Sequence, residues 1–262
     1  MKPLAKHKKK EPNFKEHDHG WMVVGFDTSM SSIASAAFAY DAVLRKFKGP
    51  VFKTVRWNYP QDDYFDRIRS AANSHDFIFD LQTLLNVSME PGEIFIAQEE
   101  PWPMGVSISR TSGFLKQQAE ISGAFLGGLV RWGYTNVAQI NNTRWRQMIA
   151  NDLGITIHHT KWKSPELALR FNCKPGDSGK FRSKEWALDY WDRESQELHV
   201  FPNVIPDLPD IIERKDGKMP RPEGSTAKAV QPEDIYDALA VGWTYLKELH
   251  ENGVLKTLAE QS

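Results

Sequence analysis

Apolar residues of this chain occur in two patterns, as short continuous runs and as longer stretches at helical spacing. The short runs predict strands that are covered on both faces, because such strands need apolar residues throughout. These strands are predicted at residues 21–26, 31–40, 51–57, 93–98 and 136–140. The short connections predict that the first three strands form an antiparallel meander, with a turn at Gly49-Pro50.

Stretches at helical spacing lie between these strands and after them. They predict helices at residues 62–86, 111–132, 142–151, 183–193 and from 232 onward. Pro232, followed directly by acidic residues, marks the start of the last helix. The order of strands and helices predicts an α/β sandwich with a mixed central sheet.

The segments outside these elements are basic, polar or rich in proline. Residues 1–20 hold six lysines and few apolar residues, which predicts a basic flexible tail. One domain is predicted over residues 21–250, followed by a C-terminal tail at 251–262. It would carry insertions at about 150–182 and 199–230, because the second of these regions is too rich in proline for regular structure.

Composition narrows the class of protein. The 33 Lys and Arg residues nearly balance the 34 Asp and Glu residues, so any DNA-binding surface must be a local patch. Cys173 is the only cysteine, which excludes an intrachain disulfide and a cysteine-rich zinc site. No apolar run approaches the ~20 residues of a membrane span, and the N-terminus lacks the apolar core of a secretory signal. We therefore expect a cytoplasmic protein that does not contact a membrane.

Acidic residues follow two of the predicted strands and open the last helix. Asp27 comes after the first strand, and Glu99 and Glu100 come after the fourth. Each of these could simply cap a turn or meet solvent. Asp234 and Asp237 are three residues apart, so both carboxylates project from one face of the helix, although acids at a helix start also complement its dipole.

Ligand sites in such sheets gather at strand ends, so these acids can meet at one edge. Clustered carboxylates repel one another, and protonation or a hard cation relieves the repulsion. Two Mg²⁺ or Mn²⁺ ions about 4 Å apart would stabilise the attacking and leaving oxygens of a phosphoryl displacement. The acids therefore predict a metal site for phosphoryl chemistry.

Three motifs resemble those of RuvC-type Holliday junction resolvases, especially the phage-type members of this RNase H-like family. They are Val24-Gly25-Phe26-Asp27-Thr28-Ser29, Ile96-Ala97-Gln98-Glu99-Glu100-Pro101 and Asp234-Ile235-Tyr236-Asp237-Ala238-Leu239-Ala240. The resemblance covers about residues 21–150, 183–193 and 232–250. It departs from the bacterial enzymes where Thr28-Ser29 replaces Pro-Gly. The fold it implies is an RNase H-like three-layer sandwich with a mixed five-stranded central sheet.

The resemblance also implies an activity. The expected protein is a metal-dependent, structure-selective endodeoxyribonuclease that resolves four-way (Holliday) or branched DNA junctions by paired phosphodiester hydrolysis. It would act as a homodimer in the cytoplasm, that of the host if the protein is phage-encoded. Two Mg²⁺ or Mn²⁺ ions would be held by Asp27, Glu99, Asp234 and Asp237, with Glu100 as the competitor of Glu99.

A basic residue would assist the reaction, and others would contact DNA. Ser183-Lys184-Glu185 resembles the segment that supplies the family's lysine, so Lys184 would touch the scissile phosphate or the nucleophilic water. Its distance from Asp234 along the chain is wider than usual, and Arg146 or Lys163 could take this role. The residues predicted to contact DNA are Arg144, Trp145, Arg146, Lys161 and Lys163.

Two alternatives remain open. One is an RNase H-like nuclease of other specificity, for a flap, a branch or an RNA–DNA hybrid. The other is a non-catalytic DNA-binding protein on the same fold. A surface that only binds DNA gains nothing from clustered negative charge beside phosphate, which favours a nuclease.

Overall fold

A computed structural model describes a large part of the 262-residue chain. The described residues are 20–29, 32–41, 46–56, 63–101, 112–152, 154, 186 and 232–255. Several predicted segments lie outside these residues. They are nearly all of the basic tail, most of the insertion at about 150–182, the helix at 183–193 apart from Trp186, and the whole insertion at about 199–230.

Five strands form one mixed sheet. They are β1 (Trp21–Thr28), β2 (Ser32–Asp41), β3 (Lys46–Arg56), β4 (Ile94–Glu99) and β5 (Asn136–Ile140). Their order across the sheet is β3-β2-β1-β4-β5. The first three strands are antiparallel neighbours, whereas β4 runs parallel to β1 and β5 runs parallel to β4. The predicted mixed five-stranded sheet and its antiparallel meander are confirmed.

Helices cover both faces of this sheet. They are α1 (Tyr64–Ala72), α2 (Ser74–Leu85), α3 (Ser112–Arg131), α4 (Asn142–Asp152) and α5 (Pro232–Glu251), with a 3₁₀ turn at Pro91–Glu93. One apolar core lies between the sheet and α2 and α3, with α1 packed beside α3, and a second lies between the sheet and α4 and α5. The predicted three-layer α/β sandwich is confirmed. In the described part of the chain, no helix is long and apolar enough to cross a bilayer.

Two local predictions are wrong. Residues 62–86 form two helices instead of one, because the chain leaves the helical conformation at Asn73, which has φ −84° and ψ 35°. The Gly49-Pro50 pair lies inside β3 and does not form a turn before it. A Cβ atom on Gly49 would lie 2.6 Å from the carbonyl oxygen of Ala37, where the pairing of β2 with β3 shifts register. Glycine is therefore needed there for close approach at a bulge.

Successive residues of β1 face opposite layers of the sandwich, as the geometry of a strand requires. Val24 and Phe26 pack in the core beneath α2 and α3, whereas Val23 packs in the core beneath α4 and α5. The same alternation directs Gly25 towards α5. Asp27, two residues further on, continues this row at the end of the strand.

Helix α5 rests directly on β1 at a pair of glycines. A Cβ atom on Gly25 would lie 2.0 Å from the carbonyl oxygen of Ala238 and 2.4 Å from the backbone nitrogen of Gly242. A Cβ atom on Gly242 would lie 2.9 Å from the backbone nitrogen of Gly25. Because residues four apart lie on one face of a helix, Asp234 is one turn before Ala238 on the face that meets β1. The glycine contact therefore fixes the acidic start of α5 relative to Asp27.

A largely buried ion pair joins α4 to α5. Lys247 Nζ donates to Asp152 Oδ1 at 2.5 Å, and the indole N–H groups of Trp243 and Trp186 also interact with this carboxylate. Burial raises the pKa of Asp152 above its usual value, while Lys247 and the two indoles oppose the rise. Trp186 itself is completely buried. The interaction therefore holds Trp186 in the core beneath α4 and α5.

We expect Lys247→Met to lower the free energy of unfolding by about 1–3 kcal/mol, because it leaves Asp152 buried without its cation. This range is below that of a fully buried pair, since the Lys247 side chain is 30% exposed. Urea unfolding at neutral pH measures the loss. The double variant Asp152→Asn/Lys247→Met should recover part of it, and a single variant as stable as the wild type would contradict this role.

The folded domain extends beyond the predicted boundary at residue 250. Helix α5 ends at Glu251, and Leu255, only 4% exposed, packs in the core beneath α4 and α5. Val254 packs against the same core. The first residues of the predicted C-terminal tail therefore belong to the domain.

Candidate active site

Asp27 and Glu99 lie side by side at one edge of the sheet. Strands β1 and β4 are parallel, and Phe26 pairs with Gln98, so the next residue of each strand reaches the same edge. Both side chains lie on the face covered by α4 and α5, and they are hydrogen-bonded to each other. The adjacency follows directly from the register of the two strands.

Glu100, the competitor of Glu99 in the sequence, takes a different position. It lies beyond the end of β4 and is exposed, and its backbone N–H donates to the carbonyl oxygen of Ile140 at 2.9 Å. The structure therefore brings Glu99, and not Glu100, next to Asp27.

Helix α5 brings two more carboxylates to this edge. The negative charges of Asp234 and Asp237 both act on Asp27 and raise its pKa. Ser32 Oγ, at the start of β2, donates to Asp234 Oδ2 at 3.0 Å. The Ser32 hydroxyl also bonds the Ser29 hydroxyl at 2.9 Å, so Ser29 and Ser32 together support the position of Asp234.

These four carboxylates, which we call the acid cluster, make ionisation of Asp27 costly. Burial is the largest cause of its raised pKa, followed by the charges of Glu99, Asp234 and Asp237 and by its hydrogen bond to Glu99. Among the described residues, no Lys, Arg or His forms an ion pair with Asp27 or Glu99. A bound proton or a bound cation would relieve this repulsion.

The chemistry of the acid cluster fits a hard divalent cation. All the atoms that it offers as metal ligands are carboxylate oxygens, which Mg²⁺ and Mn²⁺ prefer. Only one oxygen of Glu99 is engaged by amide and indole donors, and Ser32 donates to one oxygen of Asp234. Within the described residues, no three acidic, His or Cys side chains are already arranged around a single point as ligands. Binding of a cation would therefore draw the carboxylates closer together.

Several residues that support the acid cluster have no signal in the sequence. Asn142 Nδ2 and Trp145 Nε1 donate to Glu99 Oε1 at 3.0 and 3.2 Å. Gln98 Nε2 donates to Thr28 Oγ1 at 2.9 Å and ties the ends of β1 and β4 together. Asn142 lies at a predicted helix start, but a helix start does not identify the carboxylate that its side chain will meet.

The residues predicted to contact DNA have different positions. The prediction for Trp145 is wrong, because its ring is 0% exposed and its indole donates to Glu99. Arg144 is exposed and pairs with Glu248 at 2.5 Å, and the Arg146 guanidinium lies 5.0 Å from the centroid of the Trp145 ring. DNA contacts of Arg144 and Arg146 stay predictions. The remaining basic candidates lie outside the described residues: Lys161, Lys163 and Lys184.

No protein-family model and no curated protein sequence matches this chain. Solved structures to which its fold is similar include two of RuvC from Thermus thermophilus. One, in complex with a Holliday junction substrate, is 15% identical to this chain, with a TM-score of 0.45. The matched region covers 88% of this chain and 96% of the RuvC chain. The other is 14% identical with a TM-score of 0.44 and the same coverage. The strand order and the acid cluster described above are observed in this chain directly and do not depend on that likeness.

Proposed function

We propose that this protein is a metal-dependent endonuclease that hydrolyses phosphodiester bonds in branched DNA, four-way junctions in particular. The observation that carries the proposal is the convergence of Asp27, Glu99, Asp234 and Asp237 at one sheet edge. Three segments that are distant in sequence supply these side chains. A cluster in which the ionised form of Asp27 is disfavoured is suited to a cation that enters with a phosphate-rich substrate.

The chain would contribute carboxylate oxygens held on rigid elements, namely the ends of β1 and β4 and the first two turns of α5. One or two bound Mg²⁺ or Mn²⁺ ions would polarise the scissile phosphate and lower the pKa of an attacking water. The charges of Glu99, Asp234 and Asp237 all act on Asp27, so its carboxylate would be one of the groups that hold the cation. Lys184 is proposed to contact the scissile phosphate.

The preference for branched DNA rests on the resemblance of the three acidic motifs to junction resolvases. Resolution of a four-way junction needs two symmetric nicks, and one acid cluster per chain would make only one of them. We therefore propose a homodimer acting on junctions in the cytoplasm. The products would carry 5′-phosphate ends.

Cleavage of labelled synthetic DNA tests this proposal. We expect the wild type to nick a four-way junction in the presence of Mg²⁺ or Mn²⁺ in preference to linear duplex, flap and RNA–DNA hybrid. Asp27→Asn and Asp237→Asn should each lower the cleavage rate by about 10³-fold, since loss of a metal ligand removes several kcal/mol of transition-state stabilisation. Both variants should still bind the junction.

Asp66→Asn is the matched control, because Asp66 is an exposed acid on α1, outside the acid cluster. Its carboxylate pairs with Arg69 at 3.0 Å. It should cut at the rate of the wild type. Equal cleavage by Asp27→Asn, Asp237→Asn and the wild type would refute the proposal. Faster cleavage of flap or hybrid would favour another nuclease specificity, and binding without any cleavage would favour a DNA-binding protein.

A further inference from the structure

Two hydrogen bonds from α4 end on a single oxygen atom of the acid cluster. Glu99 Oε1 accepts from Asn142 Nδ2 at 3.0 Å and from Trp145 Nε1 at 3.2 Å. A carboxylate oxygen has two lone pairs, so these two donors saturate Oε1. Glu99 Oε2 is then the oxygen whose lone pairs remain for a cation.

The two donors are themselves held in place. Glu99 pairs with Ile140 at the end of β5, and α4 begins two residues later, so the strand pairing brings the first turn of α4 beside Glu99. Asn141 Oδ1 accepts from the backbone N–H of Arg144 at 2.9 Å and closes that turn. Trp145 is packed in the core beneath α4 and α5, where its ring has no room to turn.

We infer that Asn142 and Trp145 are positioning residues that fix Glu99 through Oε1 and present Oε2 alone to the metal, so that Glu99 is a one-oxygen ligand. The inference rests on the proposed metal-dependent function. A free glutamate would lose considerable rotamer freedom on binding a cation, and the two donors remove that freedom in advance. They also keep Oε1 from approaching the ion, because its lone pairs are already engaged.

Manganese affinity tests the inference independently of cleavage. The dissociation constant for Mn²⁺ is measured by electron paramagnetic resonance of the free ion, on the whole chain without DNA and well below its unfolding temperature. Asn142→Ala and Trp145→Phe should each weaken binding by about 3- to 10-fold, and the double variant by about 10- to 100-fold, the range typical of supports behind a metal ligand. Excess Mn²⁺ should restore the cleavage rate of the variants.

Two controls separate positioning from general destabilisation. Thr143→Ala changes the exposed neighbour of Asn142 in the same turn, and Trp243→Phe removes another buried indole that serves Asp152 instead of Glu99. Both should keep the Mn²⁺ affinity of the wild type, even if Trp243→Phe melts at a lower temperature. If Trp145→Phe does not fold, Asn142→Ala decides, since that side chain is only half-buried.

Each outcome has a distinct meaning. Weaker Mn²⁺ binding in the Glu99-directed variants, with unchanged controls, supports positioning. Normal Mn²⁺ affinity in a folded double variant would overturn the positioning role and leave the proposed nuclease intact. If the wild type itself binds no Mn²⁺ and cuts no DNA, the proposed function and this inference both fall.

Discussion

Gly25→Ala is expected to lower the free energy of unfolding by about 3 kcal/mol or more and to abolish metal-dependent activity. The new methyl group would lie 2.0 Å from the carbonyl oxygen of Ala238 and 2.7 Å from Gly242 Cα. Both contacts are with helix backbone, so no change of side chain can relieve them. Helix α5 would have to move away from β1, carrying Asp234 away from Asp27. Urea unfolding and Mn²⁺ binding measure the two consequences.

Gly127→Ala is the matched control for this substitution. Gly127 lies on the exposed face of α3, where an added Cβ meets nothing within 4 Å. Alanine there should raise the free energy of unfolding by about 0.5–1 kcal/mol through its higher helix propensity. A Gly25→Ala protein within about 1 kcal/mol of the wild type would show that α5 does not rest on β1 as described.

The fold and the membership of the acid cluster were largely predictable from the sequence. Asp27 and Glu99 each follow an apolar run, and a run of that kind both identifies a buried strand and locates its end. Parallel strands then bring their ends to the same edge. Asp234 and Asp237 were predictable as a pair because three-residue spacing puts them on one face of a helix that Pro232 begins.

Other features depend on contacts between distant segments and had no local signal. The role of Gly25 arises only when α5, more than 200 residues later, packs on β1. The aromatic and basic residues around Trp145 looked like a DNA surface, because its neighbours Arg144 and Arg146 are charged. Helical geometry instead turns the indole inward to Glu99, while Arg144 is exposed on the outside of the domain.

Asp27→Asn is expected to make the metal-free protein more stable than the wild type and to reverse that order when Mg²⁺ is present. The folded-state pKa of Asp27 lies well above its usual value of 3.8, so folding favours the protonated carboxyl. The wild type is therefore penalised as the pH rises from about 4 through the folded-state pKa, where Asp27 must ionise in the cluster. Asparagine carries no charge and avoids this penalty. In EDTA at pH 8, the variant should gain about 0.5–2 kcal/mol, the usual range for stabilising substitutions.

Magnesium is expected to act in the opposite direction. At a concentration about 100 times its dissociation constant, an ion that binds only the folded state stabilises the wild type by about 2.7 kcal/mol. The variant lacks the Asp27 carboxylate and should gain far less. Urea unfolding between about pH 5 and pH 8 measures both effects. The variant should be the more stable protein in EDTA, and the wild type should be the more stable protein in Mg²⁺. The exposed Asp66→Asn control should follow the wild type at every pH, both with EDTA and with Mg²⁺. A stability difference between Asp27→Asn and the wild type that is independent of both pH and Mg²⁺ would mean that Asp27 carries neither the charge repulsion nor the metal.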